Sequence, residues 1–213
     1  MKELWREYNC ELEILDRIYG GLPKSPEILE GFVKGKNLPP DMLERLKEEM
    51  GTDKAIEEDI EGSWTGFKSD DTGIYIETRQ IKAMLKEAVG ESELWKDIRG
   101  LKSRVAGAVF PKGQGGTDLS HIYLNRDNGP ITEPDGWEET VGHVTGPQGR
   151  RSILKRKDYV EKPTIKFTMK VGGKTVKKSV LEYLLGFGEE LGLGADRSME
   201  HGKFKVTKFE QIV

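Results

Sequence analysis

Between Pro163 and Val206 the hydrophobic period of this chain changes twice, and no other stretch restricts the fold as much. In "PTIKFTMKVGG", Ile165, Phe167, Met169 and Val171 fall on one face and Lys166 and Lys170 on the other, the two-residue period of a half-buried strand. From roughly Val176 to Leu191 the period becomes helical, with Val180, Tyr183, Leu184, Phe187 and Leu191 on one stripe. Past the loop "GLGADRSMEHGKFKV", the segment "KFKVTKF" returns to a strand, with Phe204 and Val206 two apart. A strand, a helix and a second strand in this order form a unit whose helix must cover the apolar face of the sheet.

An earlier unit of the same kind is visible. "NCELEIL" predicts a strand in which Cys10, Leu12 and Ile14 alternate with Glu11 and Glu13. "GGLPKSP" interrupts it, and residues 26–61 read as an acidic helical insertion, with Asp41 as N-cap, Glu44 three residues on and Gly51 as stop. Asp70, Asp71 and Gly73 mark a turn, "IYIE" a short strand, and from Arg79 a helix carries Ile81, Met84, Leu85, Ala88 and Val89 inward. Arg79, Lys82 and Lys86 occupy its other side. Residues 101–150 predict strands at "SRVAGAVF" and "SHIYLN" between long Gly/Pro-rich loops, and 111–160 read as a loop- and hairpin-rich insertion. The expected architecture is one α+β domain over 1–213: a ferredoxin-like (RRM-like) antiparallel sheet with helices on one face, a helical insertion and long loops.

Composition bounds the function. The 213 residues are 33% charged with a mean hydropathy of −0.60, and no run approaches the ~20 apolar residues of a membrane span. "MKELWREYNC" lacks the apolar region of a signal peptide. A single cysteine, Cys10, excludes an intramolecular disulfide, and no Cys/His spacing suits zinc. The expectation is therefore a cytoplasmic protein with no cofactor and no bound metal. The formal charge of −3 conceals a division: residues 1–63 carry 9 Lys/Arg against 16 Asp/Glu, the other 150 carry 25 against 21. Within 150–178 there are 11 basic residues against Asp158 and Glu161. Such a stripe holds phosphates even on a slightly acidic protein; its bland counterpart is a solvated strand face.

Catalytic motifs are weak. "GGKTV" imitates the end of a phosphate-binding loop, but the first required glycine falls at Thr168 inside a strand. Gly186 and Gly188 of "GFGEELG" lie within a helix, not after a strand. His121 sits in a predicted strand, where it suits a structural role, and His143 in a loop. His201 stands near Arg197 and Lys203, where a general base toward a ribose 2′-hydroxyl is one reading. Asp70 and Asp71 suit turn chemistry or, alternatively, a divalent cation. Cys10, facing the core, supplies no nucleophile. No catalytic residue is assigned.

The glycine loop points to phosphate. Backbone N–H groups unshielded by Cβ atoms approach a sugar-phosphate chain closely, Arg197 adds a bidentate donor and Lys203 a point charge. Helix, then G-L-G-A-x-R-S-x-x-x-G-K-F, then strand resembles the C-terminal glycine-rich loop of the RAMP superfamily, the ferredoxin-like RNA-binding subunits of CRISPR effector complexes and their crRNA-processing relatives. Gly192, Gly194, Ala195, Arg197, Ser198, Gly202 and Phe204 match it, while Asp196 and Glu200 stand where the family often has further glycines. "YIETRQIKAMLKEA" is similar to a strand-to-helix segment of the backbone subunits: Ile81, Lys82, Leu85, Glu87 and Ala88 fit, and Glu77 and Thr78 replace its Pro and Gly.

The resemblance implies a non-enzymatic RNA-binding subunit of an antiviral ribonucleoprotein. Its partners would be guide or single-stranded RNA and the protein subunits of a larger complex or homo-oligomer, with no membrane. RNA would lie over the sheet face and helix ends, held by phosphate contacts. The binding residues expected on these grounds are Arg79, Lys82, Arg150, Arg151, Lys155, Arg156, Lys157, Gly192, Gly194, Arg197, Ser198, Gly202 and Lys203, with Trp64, Phe67 or Tyr159 stacking bases. Two rival readings remain: a RAMP-type endoribonuclease using His201, or Asp70 with a metal, and a phage-encoded protein-binding structural or inhibitory component whose 26–61 segment contacts basic partners.

Overall fold

Strand β1 (Trp5–Ile14) has an antiparallel neighbour along each edge, β12 (Thr164–Gly172) and β13 (Phe204–Gln211). The chain is described here from a computed structural model over residues 4–24, 63–114, 118–146 and 149–212, with the backbone alone at 63, 141–146 and 149–154. The predicted insertion at 26–61 lies outside the described residues.

The alternation in the sequence dictates the layers. Tyr8, Cys10, Leu12 and Ile14 of β1 and Ile165, Phe167, Met169 and Val171 of β12 are buried, and the intervening polar residues form the opposite face. Cys10 lies in this core, and burial pushes its thiol pKa up to about 12. Over the apolar face lie α1 (Thr78–Glu91), through Ile81, Met84, Leu85, Ala88 and Val89, and α3 (Lys178–Leu191), through Val180, Leu181, Leu184, Leu185 and Gly188. Each such side chain taken fully from water contributes about 1.5–3 kcal/mol. Gly188 is small because Met84 of α1 crosses there: a Cβ would stand 2.4 Å from its sulfur.

The edge strand β7 (Val109–Gly113) pairs antiparallel with β12. Without the additional strands, the sequence β1-α1-β7-β12-α3-β13 is βαββαβ, and the spatial order β13-β1-β12-β7 is the 4-1-3-2 order of a ferredoxin-like α+β domain. The antiparallel sheet with helices on one face is therefore present as expected. On the same edge of β12 as β7, β8 (His121–Arg126) pairs with Thr164 and Ile165, β6 (Gly73–Glu77) and β5 (Lys68–Asp70) extend the sheet beyond β8, and the short β9 (Gly129–Pro130) also pairs with β8. A second, smaller sheet grows from the ends of β1 and β12. Its centre is the long hairpin β10 (Gly136–Gly146) and β11 (Gly149–Glu161), joined by β2 (Arg17–Tyr19), β4 (Ser63–Gly66) and β3 (Leu22–Pro23).

Two expectations fail. The stretch "SRVAGAVF" is not a strand: Leu101–Ala108 form helix α2, and extended backbone begins only at Val109. Leu101 and Val105, one helical turn apart, are the buried pair, and Ala106 and Ala108 are strong helix formers. Tyr183 is half exposed, because Leu181 and Leu185 take the inward positions of α3 instead.

Candidate nucleic-acid interface

The glycine loop is a packed strap. Gly192 ends α3 at φ +72°, and the chain then folds back on itself: Leu193 N–H donates to the Gly202 carbonyl, Ala195 N–H to Tyr19 and Gly202 N–H to Arg17. The glycines permit contact between chain segments. A Cβ at Gly202 would lie 1.8 Å from the Leu193 carbonyl oxygen, and one at Gly194 2.7 Å from Ile18. Gly192 N–H closes the helix on Gly188, and the N–H groups of Met199 and Glu200 close the 3-10 turn Arg197–Met199, in which Ser198 is exposed. Asp196 and Glu200 adopt positive φ of 55° and 68°, the region where glycine costs least.

The cations of the strap face carboxylates. Arg197 Nη1 lies 2.7 Å from Glu87 Oε2 on α1, and Lys203 Nζ lies 3.0 Å from Glu190 and 3.7 Å from Glu200. The hydrogen bond to Glu190 holds the Lys203 ammonium pKa above its ordinary value. In the first turn of α1, Arg79 Nε donates to Glu77 at 2.6 Å. Lys82 has no carboxylate partner among the described residues; its ammonium lies 4.5 Å from the centre of the Phe110 ring, and burial, then the nearby Lys86, lowers its pKa. A cavity of about 110 Å³ separates α1 from the strap, lined by Gln80, Ala83, Met84, Gly192, Leu193, Gly194 and Arg197.

The basic stripe runs along one strand. Arg150, Arg151, Lys155, Arg156 and Lys157 all belong to β11, paired across to β10 from Gly149 to Tyr159. At its base, Lys157 forms an ion pair with Asp196, tying hairpin to strap. Arg156 meets Glu139 at 2.7 Å and holds its guanidinium 4.8 Å from the Trp137 ring and 5.8 Å from Trp64. Lys155 has no ion pair among the described residues.

The aromatic residues expected to stack bases are partly engaged. Trp64 donates its indole N–H to Asp158 at 2.7 Å and carries Lys24 at 4.7 Å; Asp158, buried, also pairs with Lys24. Tyr159 lies under Arg17 at 4.2 Å, and Phe67 packs against the main core. Four other exposed rings among the described residues escaped the sequence reading: Trp5, Trp95, Phe110 and Trp137. For Trp5 a signal exists, since its parity with Glu7, Asn9 and Glu11 assigns it to the polar face of β1.

The histidines divide. His121 stacks on Tyr75 at 3.7 Å, with Nδ1 3.0 Å from Asp70 Oδ2 and Nε2 3.4 Å from Asp118. Tyr123 Oη donates to the same Asp70 oxygen at 2.7 Å, while Asp70 Oδ1 accepts the N–H groups of Thr72 and Gly73 in the expected turn. Burial raises the Asp70 pKa, but these four hydrogen bonds outweigh it and leave the carboxyl below its ordinary range. His201 packs on Tyr19 with ring centres 4.5 Å apart. His143 lies in β10. Among the described residues no group of three or more His, Cys, Asp or Glu is arranged to hold a metal, and no helix is long and apolar enough to cross a membrane.

No protein-family model matches the sequence, and no curated protein matches it. Among solved structures, the chain is similar to one in the cryo-EM structure of the Type III-B Cmr-beta complex bound to cognate target RNA, at 15% identity and TM-score 0.49, over 98% of this chain and 61% of that one. It thus spans under two thirds of that relative's length. It is also similar to a chain of a Type IV-B CRISPR complex, at 11% identity and TM-score 0.45, over 95% of this chain and 90% of that one.

Proposed function

We propose that this protein is an RNA-binding, RAMP-like subunit of a CRISPR-type ribonucleoprotein, holding single-stranded guide RNA chiefly by its phosphates. The observation that carries this reading is the β10–β11 hairpin: five cations on one strand, leading directly into central strand β12 of the ferredoxin-like sheet. Support comes also from the α3–strap–β13 connection, whose glycines, Arg197 and Phe204 match the RAMP loop. In this reading the strap contributes less through its amides than through Arg197 and Lys203, which exchange carboxylate for phosphate when RNA arrives. Exchange of this kind is favourable because a phosphate chain releases counterions as it is neutralised. The endoribonuclease alternative has no supporting geometry at His201, whose ring packs on Tyr19.

The test is the salt dependence of RNA affinity. Arg150, Arg151, Lys155, Arg156 and Lys157 are changed together to Ala in the full chain, and binding of a labelled unstructured RNA is followed by fluorescence anisotropy. Each lost phosphate contact reduces the slope of log affinity against log salt by about 0.7. The variant should bind more weakly and with a flatter slope. A variant that melts like the original and keeps its slope would make the stripe a solvated strand face.

A further inference from the structure

The middle of the open sheet face is poorly suited to a polyanion: Glu7, Glu11 and Glu13 line β1 there, opposed by Lys166 and Lys170. At the Trp5 end of that face the chemistry changes. Trp5 pairs with Gly172 across the β1–β12 ladder, and its indole covers the position where a side chain at 172 would stand, a Cβ there being 2.7 Å from the ring. Phe110 pairs with Lys170 on the next strand, and the two rings meet edge to face, centres 5.9 Å apart. Both stay accessible, Trp5 at 42% and Phe110 at 37% exposure. Lys170 stands 4.9 Å from the Trp5 ring centre and Lys82 4.5 Å from that of Phe110, so an ammonium flanks each ring. Lys86 adds charge beside Lys82, and neither has a carboxylate partner among the described residues; Lys170 faces Glu7 only at 3.9 Å.

Two accessible rings on a two-strand spacing, each with an ammonium over it that a phosphate can draw aside, match a nucleotide: base on ring, phosphate on ammonium. We propose that Trp5 and Phe110 form a base-stacking site for single-stranded RNA at this end of the open sheet, with Lys82 and Lys170 holding the adjoining phosphates. The inference rests on the RNA-binding reading above and deepens it, because it adds a contact to bases that the phosphate-binding hairpin does not supply. The net positive charge favours a nucleic acid over an apolar protein partner, which would bury the ammonium groups of Lys82 and Lys86 without a carboxylate.

The experiment compares two labelled strands of equal length on the full-length protein: oligouridylate, and an abasic oligomer with the same sugar-phosphate backbone. The unmodified protein should bind the base-bearing strand more tightly. Trp5→Ala and Phe110→Ala should each weaken it by roughly 5- to 100-fold, the usual range for losing a base–aromatic stack, while affinity for the abasic strand and the salt slope stay unchanged. Trp5→Phe should retain most of the preference. Ultraviolet cross-linking of the unmodified protein should tag the peptides bearing Trp5 or Phe110, a readout independent of how the variants fold. Alanine variants that melt normally and bind both strands like the original would overturn the site while leaving RNA binding by the hairpin intact. Equal losses on both strands, cross-links confined to other peptides, or polyglutamate binding that these variants abolish would overturn it too. If the unmodified protein binds neither strand, the RNA-binding reading and this site fall together.

Discussion

Arg197 and Glu87 lie 110 positions apart in sequence and form one half-exposed ion pair between strap and helix. A pair of that exposure contributes about 0.2–1 kcal/mol. Arg197→Ala should therefore lower stability in a urea titration by no more than about 1 kcal/mol, and adding Glu87→Ala should cost little more, since the contact is already lost. The same arginine change should loosen RNA more than it loosens the fold. At Asp70 the prediction concerns pH. Its carboxyl is held below the ordinary range by hydrogen bonds from Tyr123, Thr72, His121 and Gly73 against the opposing pull of burial. A depressed acid contributes stability that is present above its unfolded value near ~3.9 and lost as pH falls through its folded value. Thermal melts of Asp70→Asn should thus show a shallower loss of stability in that acid range than the unmodified protein.

At the scale of elements, the strap behaves as packed structure, and its Gly202 should respond differently from Gly186 in the helix before it. Gly202→Ala places a methyl group against the Leu193 carbonyl at a φ of +74°, so it should cost about 2 kcal/mol or more. Gly186 in α3 meets no atom within 4 Å, and Gly186→Ala should stabilise by up to about 1 kcal/mol. Denaturant midpoints of the two variants check both. The contrast also explains what was legible in the chain. Alternation in β1 and β12 and the helical stripe of α1 are set by which side chains must leave water, so the sequence carries them openly. In Leu101–Ala108 only Leu101 and Val105 are buried, a single helical turn apart, too few for the period to show, and the following Val109 and Phe110 read as a continuing strand. The strap's composition was visible but its use was not: what its amides and charged side chains meet (Tyr19, Arg17, Glu87, Lys157) comes from elements far away in sequence.

The whole molecule joins a ferredoxin-like sheet to a long cationic hairpin, and Arg156, Lys157, Arg197 and Lys203 each form an ion pair with a carboxylate. A protein with a formal charge of −3 has little reason to attract RNA through its average field, so the proposed binding would depend on local clusters of cations and be sensitive to salt. That stripe was legible as a count of residues in 150–178; its placement on one strand of a hairpin required the fold. The most direct measurement is the ultraviolet spectrum of the full chain purified at low salt, before and after a high-salt wash and with and without ribonuclease. RNA binding predicts a nucleic-acid absorbance that travels with the protein at low salt, disappears with ribonuclease and is removed by salt. A protein-like spectrum at low salt, together with no affinity for added single-stranded RNA, would contradict it.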